Sequence, residues 1–437
     1  MNLVLLSGGS GSRLWPLSND IRSKQFIKFF KNGSDMESMI QRVYHQIRSV
    51  DKESKVVITT LKEQVATIQN QIGENIKICI EPCRKDTFPA IVLAVAYLYD
   101  IEKVMPDEPV VVCPVDPFVE EEYFETLKKA AALSVTGNTE LTLVGIEPTY
   151  PSEKYGYIVP VLKQDVSPVK TFKEKPDIVV AKNYISQGAL WNSGVFAFKL
   201  GYLLERAHQI IEFSDYYDLY NKYDTLKKIS FDYAIVEKTK NMQVMRFSGN
   251  WKDVGTWNTL TEVMEEQCTG NVIMDELCEN THVINELDVP VLCMGLKNIV
   301  VASSPQGLLV ADKERSGYIK KYVDKINQIV MFSEKSWGMF QILDVTDNSI
   351  TVKVILESGK YMSYHSHEKR EEVWIIVSGQ GETVINENRR KIGTGDVVKI
   401  NTGIRHTVIA KTELKIIEIQ LGEEISVCDK IVHDFKI

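Results

Sequence analysis

No apolar run in the 437-residue sequence approaches the roughly 20 residues that a bilayer-spanning helix needs. The N-terminus lacks a basic stretch followed by a long apolar one, so neither a membrane span nor a secretory signal is expected. Cysteine is sparse: the seven, at positions 79, 83, 113, 268, 278, 293 and 428, form no Cys-x-x-Cys pair. Their odd number and scatter argue against a disulfide framework or a structural zinc site, and reduced thiols in a cytoplasm are expected. An excess of basic charge is also missing. The 51 Lys and Arg are outnumbered by 59 Asp and Glu, for a net charge of −8. That excludes a broad basic surface for nucleic acid but leaves room for a local positive pocket that takes a nucleotide. Internal repeats and low-complexity tracts are absent. The length then suggests two or three soluble globular domains.

The most informative string present is Leu6 to Phe26, L-S-G-G-S-G-S-R-L-W-P-L-S-N-D-I-R-S-K-Q-F, directly after the apolar Leu3-Val4-Leu5. A short buried strand here ends in the loop Gly8, Gly9, Ser10, Gly11, Ser12, with no bulky side chain before Arg13. Such a loop lets backbone N–H groups approach a phosphate chain closely. Arg13 and Lys24 add two fixed positive charges. The string is not a Walker A loop, because no Lys-Ser/Thr follows at that spacing. It is not a dinucleotide fingerprint either, because Leu14 stands where the third glycine belongs.

Up to about residue 260, strand-like and helix-like segments alternate. Residues 55–59 (K-V-V-I-T) and 110–113 (V-V-V-C) read as buried parallel strands. Residues 87–100, long and Ala/Leu-rich, read as a helix with Thr87 as a candidate N-cap, and residues 36–48 as another. This alternation predicts an α/β domain with a mostly parallel sheet and ligands at the carboxyl ends of its strands. After about residue 268 short β-rich runs take over, including 289–294, 298–302 and 308–312, with a short helix over 318–325. From Trp337 helix signals vanish, and evenly spaced strand-like runs suggest a small β-barrel or sandwich.

Several further strings carry chemistry. Glu81-Pro82-Cys83-Arg84-Lys85-Asp86-Thr87 precedes the long helix, where free N–H groups can bind phosphate or read a base edge. Asp116 follows one hydrophobic strand, and Asp253 lies in Trp251-Lys252-Asp253-Val254-Gly255. Two carboxylates at different strand ends suit magnesium, which keeps water and substrate phosphate as its other ligands. Glu174 and Lys175 stand side by side, and Asn192 offers an amide suited to sugar hydroxyls. Near the C-terminus, Gly359-x5-His365-x-His367-x4-Glu372-x6-Gly379 and Gly395-x5-Asn401-x-Gly403-x2-His406 place three imidazoles and a carboxylate. In a strand, His365 and His367 point to one face. Such a set suits zinc, manganese, iron or nickel.

The strings at 7–26, 81–87, 113–117, 171–176, 191–196 and 251–257 together resemble the sugar-1-phosphate nucleotidyltransferases, and within them the mannose-1-phosphate guanylyltransferases. One departure is Ser23, where that family usually has Pro before the lysine. The resemblance implies a Rossmann-like, GT-A-like nucleotidyltransferase domain over 1–267, a connecting β-rich subdomain over 268–330 and a cupin β-barrel over 331–437. It implies GTP and mannose-1-phosphate as partners and GDP-mannose as product. Neither nucleic acid nor membrane is expected, and a homo-oligomer is left open. It assigns Arg13 and Lys24 to catalysis. Gly8, Gly9, Ser10, Gly11, Ser12, Glu81, Arg84, Asp86 and Thr87 go to the nucleotide, and Gly156, Tyr157, Glu174, Lys175 and Asn192 to the sugar phosphate. Mg2+ falls to Asp116 and Asp253. Asp232 is left between a sugar contact and a helix cap. The last 100 or so residues resemble the cupin of phosphomannose isomerases, which implies a divalent transition metal such as Zn2+ on His365, His367, Glu372 and His406. Here Glu368-Lys369 replaces that family's His-His, and Thr407 replaces its Arg, so metal binding carries over more readily than isomerase activity.

Overall fold

The computed structural model describes residues 1–9, 12–19, 21–326, 329–426 and 429–435. They divide into two compact units, Met1–Gly11 with Ser23–Glu265, and Ser12–Arg22 with Glu266–Ile437. The glycine-rich string is thus shared: its first glycines and Lys24 lie in the first unit, and the segment carrying Arg13 groups with the second.

In the first unit the described residues build a nine-stranded sheet. Strands Lys77–Glu81, Lys55–Leu61, Asn2–Leu6 and Pro109–Pro114 lie side by side and parallel. Helix Thr87–Asp100 spans the residues expected from its pattern. It is apolar around most of its circumference, and Phe88, Ile91 through Ala96 and Leu98 are buried in the main core. Each large apolar side chain buried there contributes roughly 1.5–3 kcal/mol over exposure. Its N-cap is Asp86, not Thr87: the Asp86 carboxylate accepts from the Thr87 N–H at 2.8 Å. The helix expected over 36–48 runs Met39–Val50. A strand, Asp35–Ser38, comes first, and Ser38 with Gln41 forms a capping box that starts the helix three residues late.

The sheet expected to be mostly parallel is parallel only across those four strands and again where Met242–Phe247 meets Leu141–Ile146. Strand Leu190–Lys199 runs antiparallel between Pro109–Pro114 and Leu141–Ile146, and Tyr157–Pro160 and Val166–Lys173 add antiparallel pairs. A strand running backwards starts where its parallel neighbours end, so Trp191 and Asn192 enter at the carboxyl edge. A register shift between Asn192 and Phe196 bends the strand there.

In the second unit, strands Cys268–Thr269, His282–Asn285, Ile299–Ser304 and Gly307–Asp312 form a small sheet, and Val272–Met274 pairs with Val291–Cys293. These share a small core around Val283, Cys293 and Val301. The helix expected over 318–325 is a 3-10 turn, Arg315–Tyr318, followed by one α-turn, Lys320–Val323. The remaining strands form two antiparallel sheets. One holds Phe332–Lys335, Gly338–Val345, Ser349–Leu356, Leu414–Leu421, Glu371–Ser378 and Val397–Ile400. The other holds Asn388–Gly393, Gln380–Ile385, His406–Ala410, His365–His367 and Lys430–Val432. Val352, Val354, Trp374, Ile376, Ile400, Val408 and Ile416 form their apolar filling. Among the described residues no helix is long and apolar enough to cross a membrane.

Candidate functional site

The carboxyl edge of the parallel strands gathers the first set of groups. Gly8 follows Asn2–Leu6, and Glu81 ends Lys77–Glu81. A Cβ on residue 8 would stand 3.0 Å from Glu81 Oε1, so glycine is what lets the loop pass over that carboxylate. Glu81 is 5% exposed and accepts from the Tyr223 hydroxyl at 2.8 Å. Burial raises its carboxyl to about 7, against the opposing pull of Tyr223 and Arg84. The loop is fastened by groups that sequence reasoning did not single out. Ser23, at the family's proline position, donates to the Gly9 carbonyl at 2.6 Å and accepts from Gln64 Nε2 at 2.7 Å. Gln25 Nε2 donates to the Ser7 carbonyl at 2.6 Å. Ser23 has φ −74°, which proline also adopts, so the chain has exchanged a stiff ring for a hydroxyl anchor at one backbone angle.

The second set lines one cavity of about 210 Å³: Asp116, Gly156, Glu174, Asn192, Asp232 and Asp253, with Lys154 and Tyr155 also on its wall. Asp116 lies two residues past Pro109–Pro114, in the link to Pro117–Val119. That short strand pairs antiparallel with Trp251–Asp253, with Asp253 opposite Pro117. The pairing brings two carboxylates distant in sequence to one place. Lys24 Nζ stands 2.9 Å from Asp116 Oδ2. Asn192 Nδ2 donates to Asp232 Oδ1 at 2.8 Å, so Asp232 belongs to the site. Burial, then the neighbouring Glu174 charge, raises the Asp232 carboxyl to about 7. Lys175 bonds Glu174 Oε1 at 2.6 Å. Burial would lower the Lys175 ammonium, but Glu174 holds it above its usual value.

Other expected residues fall elsewhere. Tyr157 is fully buried, and its hydroxyl is engaged with the Ser152 N–H at 2.8 Å and carbonyl at 3.1 Å; Tyr155 faces the cavity instead. Tyr157 begins the strand Tyr157–Pro160, whereas Tyr155 lies in the bend before it and so is not bound to the strand's alternation. Thr87 Oγ1 accepts from the Phe231 N–H at 2.8 Å, which ties the loop to the short helix bearing Asp232. Arg84 and Asp86 are exposed on that loop, as is Gly9 on its own. Arg13 is exposed on the 3-10 turn Ser12–Leu14 of the second unit. Ser10 and Gly11 lie outside the described residues.

The third set is in the β-barrel. His365 begins its strand and pairs with His406 across the sheet. Among the described residues, His365, His367 and His406 offer ring nitrogens that all lie within 4.8 Å of one another, and all three are buried. Their Nδ1 atoms stand 2.7 Å from Ser363 O, 3.3 Å from Asp429 O and 2.8 Å from Ile404 O, respectively. A carbonyl only accepts, so each Nδ1 carries a proton, and in a neutral ring the inward Nε2 is the atom with the lone pair. His406 Nε2 is buried without a hydrogen bond. Burial, with Lys430 and His406 nearby, pushes His365 down to about 2, so it is neutral as a metal ligand must be. Glu372 Oε1 is 3.1 Å from His367 Nε2, and Oε2 is 3.4 Å from His406 Nε2. Burial alone would raise the Glu372 carboxyl, but His367, His406 and Arg370 hold it well below the usual range. This donor set fits a divalent transition metal. Two further partners were not foreseen: Arg370 Nε and Trp374 Nε1 each donate to Glu372 at 3.1 Å, and Arg370 also reaches His367 Nε2 at 3.0 Å. Thr407 is fully buried and donates to the Met362 carbonyl at 2.6 Å, leaving no guanidinium at that position.

The nucleotidyl transferase family model matches residues 2–270, and the cupin domain model matches residues 352–420. Mannose-1-phosphate guanylyltransferase RfbM of Salmonella typhimurium is 28% identical over 96% of this chain and 94% of its own. The Escherichia coli K12 mannose-1-phosphate guanylyltransferase is 28% identical over 96% and 95%. A solved structure from Thermus thermophilus, named mannose-1-phosphate geranyltransferase, is 26% identical. It has a TM-score of 0.62 and covers 74% of this chain and 98% of its own. With a family match over more than half its length, the chain belongs to the nucleotidyl transferase family.

Proposed function

We propose that the chain is an enzyme that joins GTP and mannose-1-phosphate to form GDP-mannose and pyrophosphate in the cytoplasm. The carrying observation is the shared cavity of Asp116, Asp253, Glu174, Asn192 and Asp232, with Lys24 on Asp116, at the carboxyl edge of the sheet. An oxygen of the sugar phosphate attacks the α-phosphorus of GTP, the new P–O bond forms, and the bond to the bridging oxygen breaks as pyrophosphate leaves. The nucleophile is already an anion, so no general base is needed. Positioning and charge neutralisation supply the catalysis. Lys24 and Arg13 offset phosphate charge, and Glu174, Asn192 and Asp232 orient sugar hydroxyls. Asp116 and Asp253 would hold Mg2+, a hard cation that suits a carboxylate pair and lowers the charge barrier between two phosphates. The functional division follows as nucleotidyl transfer over 1–267, a connector over 268–330 and the cupin over 331–437. The separate small core around Val283 and Val301 supports the connector. The test is pyrophosphate release over a matrix of nucleoside triphosphates and sugar-1-phosphates with Mg2+. Activity greatest with GTP and mannose-1-phosphate upholds the reading. Another preferred pair moves the substrates, and silence across the matrix would make the chain a nucleotide-sugar sensor.

Glu81 gives this reading a pH signature. Its carboxyl, raised to about 7 by burial, can accept from the guanine N–H edge with both oxygens only when ionised. Accordingly, kcat/KM for GTP rises with pH through about 7, and Glu81→Gln abolishes that inflection and weakens GTP discrimination about 10- to 100-fold. Between the ordinary carboxyl range and about 7 the folded protein binds this proton and the unfolded chain does not. Stability from this group is therefore lost as pH rises over the same window.

A second reading applies to the cupin, where the three inward imidazoles favour a divalent transition metal. Isomerisation of mannose-6-phosphate and fructose-6-phosphate there is tested by a coupled assay with and without added metal. The buried Thr407, at the position of the isomerases' arginine, weighs against it.

A further inference from the structure

A second cavity of the first unit, of about 410 Å³, shares no lining residue with the one that holds Asp116 and Asp253. Its floor is apolar: Phe88 and Ala234 belong to the main core, and Leu226 and Ile229 pack against it. Ile210 and Ile211 add an apolar wall. Among the described residues its charged lining is Lys222, Lys227 and Lys238 against Glu212, in a chain whose net charge is −8. Lys222 is paired with Asp218 at 2.9 Å, and all three lysines are exposed to solvent. A cleft of this size, with an apolar floor and a few charged groups, has the form of a ligand site. Its local excess of positive charge selects an anion. The same stretch of chain also holds the loop 81–87. Tyr223 donates its hydroxyl to Glu81 at 2.8 Å. The Ile229 N–H donates to the Lys85 carbonyl at 3.3 Å, and the Ile229 carbonyl accepts from the Phe88 N–H at 3.2 Å. Lys85 Nζ donates to the Asp224 carbonyl. Residues 222–229 thus line the cavity and fasten the loop.

We propose that this cavity is a second binding site, one that takes an organic phosphate ester with an apolar body, and that its occupant alters GTP affinity through Tyr223 and Ile229. The apolar body covers Phe88, Leu226 and Ile229, and the phosphate meets the lysine ammonium groups, which suit it as point charges. An occupant that displaces residues 222–229 moves the hydroxyl partner of Glu81 and two backbone bonds of the loop together. The coupling is reciprocal: the occupant changes GTP affinity by the factor by which GTP changes its own. Binding at the cavity stands on the cavity's own geometry. The effect on GTP rests on the proposed reading in which Glu81 meets guanine.

The probe is phenyl phosphate, titrated calorimetrically into the full-length chain, with inorganic phosphate and benzyl alcohol as its separate halves. Phenyl phosphate is expected to bind about 10-fold tighter than either half, and more weakly as salt is raised. Lys227→Glu combined with Lys238→Glu, or Ile210→Glu alone, should weaken it about 10-fold or more. These side chains are exposed, so the melting temperature should hold. Asp253→Asn, in the other cavity, should leave phenyl phosphate binding unchanged. Saturating phenyl phosphate should shift the GTP dissociation constant about 5-fold or more in the wild type and not in the double lysine variant. Tyr223→Phe should keep the probe and shrink that shift. Inorganic phosphate binding as tightly as phenyl phosphate, or lysine variants that bind like wild type, would overturn the site. A GTP affinity indifferent to the bound probe overturns the coupling and leaves the site standing. A chain that binds the probe but no GTP overturns the nucleotide reading, and the coupling with it.

Discussion

Asp253→Asn is expected to cut pyrophosphate release from GTP and mannose-1-phosphate by about 10²- to 10³-fold, the scale seen when one preorganised charge-stabilising group is lost. Asparagine keeps the shape of the side chain and the pairing of Trp251–Asp253 with Pro117–Val119, so the melting temperature should hardly move. What is removed is one of the four carboxylates that line the cavity, and one of the two, with Asp116, proposed to hold the cation. Of the pair, Asp116 is already bound to Lys24 Nζ at 2.9 Å. Asp253 is therefore the carboxylate with more negative charge to spare for a cation. The Mg2+ concentration for half-maximal activity should rise in the variant, and excess Mg2+ should recover part of the rate. An Asp253→Asn protein with wild-type kcat and Mg2+ dependence would remove Asp253 from the metal site. Asp116→Asn should show a similar loss and also release the Lys24 ammonium from its partner.

The second large effect is expected in the cupin. Zinc or manganese added to the metal-free full-length protein should bind at one equivalent per chain and raise the melting temperature. At free metal about 100 times the dissociation constant, linkage supplies about 2.7 kcal/mol. His406→Ala and His367→Ala should each abolish stoichiometric binding, measured by elemental analysis after gel filtration. The basis is geometric: the Nδ1 contacts turn three Nε2 lone pairs inward, and His406 Nε2 has no hydrogen bond. If the metal-free protein takes up no metal and the His variants melt like wild type, the trio is a packed histidine cluster held by Arg370 and Glu372.

Much of the site was legible because its signals are local. A strand followed by glycines specifies its loop within ten residues, and helix Thr87–Asp100 declares itself by composition. The period of two in His365-Ser366-His367 specifies one shared face. Where local signals competed, the outcome was harder to read. Asp86 displaced Thr87 as the N-cap because its carboxylate reaches the first free N–H. The choice between Tyr155 and Tyr157 turned on where the strand Tyr157–Pro160 begins, which buried Tyr157 and left Tyr155 in the bend at the cavity wall.

By itself the sequence determined the family, the glycine loop, the long buried helix and the histidine spacing, because each is written in neighbouring residues whose energies depend on their neighbours. Only the tertiary structure decided that a reversed strand delivers Asn192 to the carboxyl edge, and that Asp253 joins Asp116 across a two-strand ribbon. It alone buried Glu81 and Asp232 deeply enough to keep their protons near neutral pH, and attached the Arg13 segment to the second unit. Those outcomes come from strand order and from desolvation by groups up to hundreds of residues away, which no local pattern records.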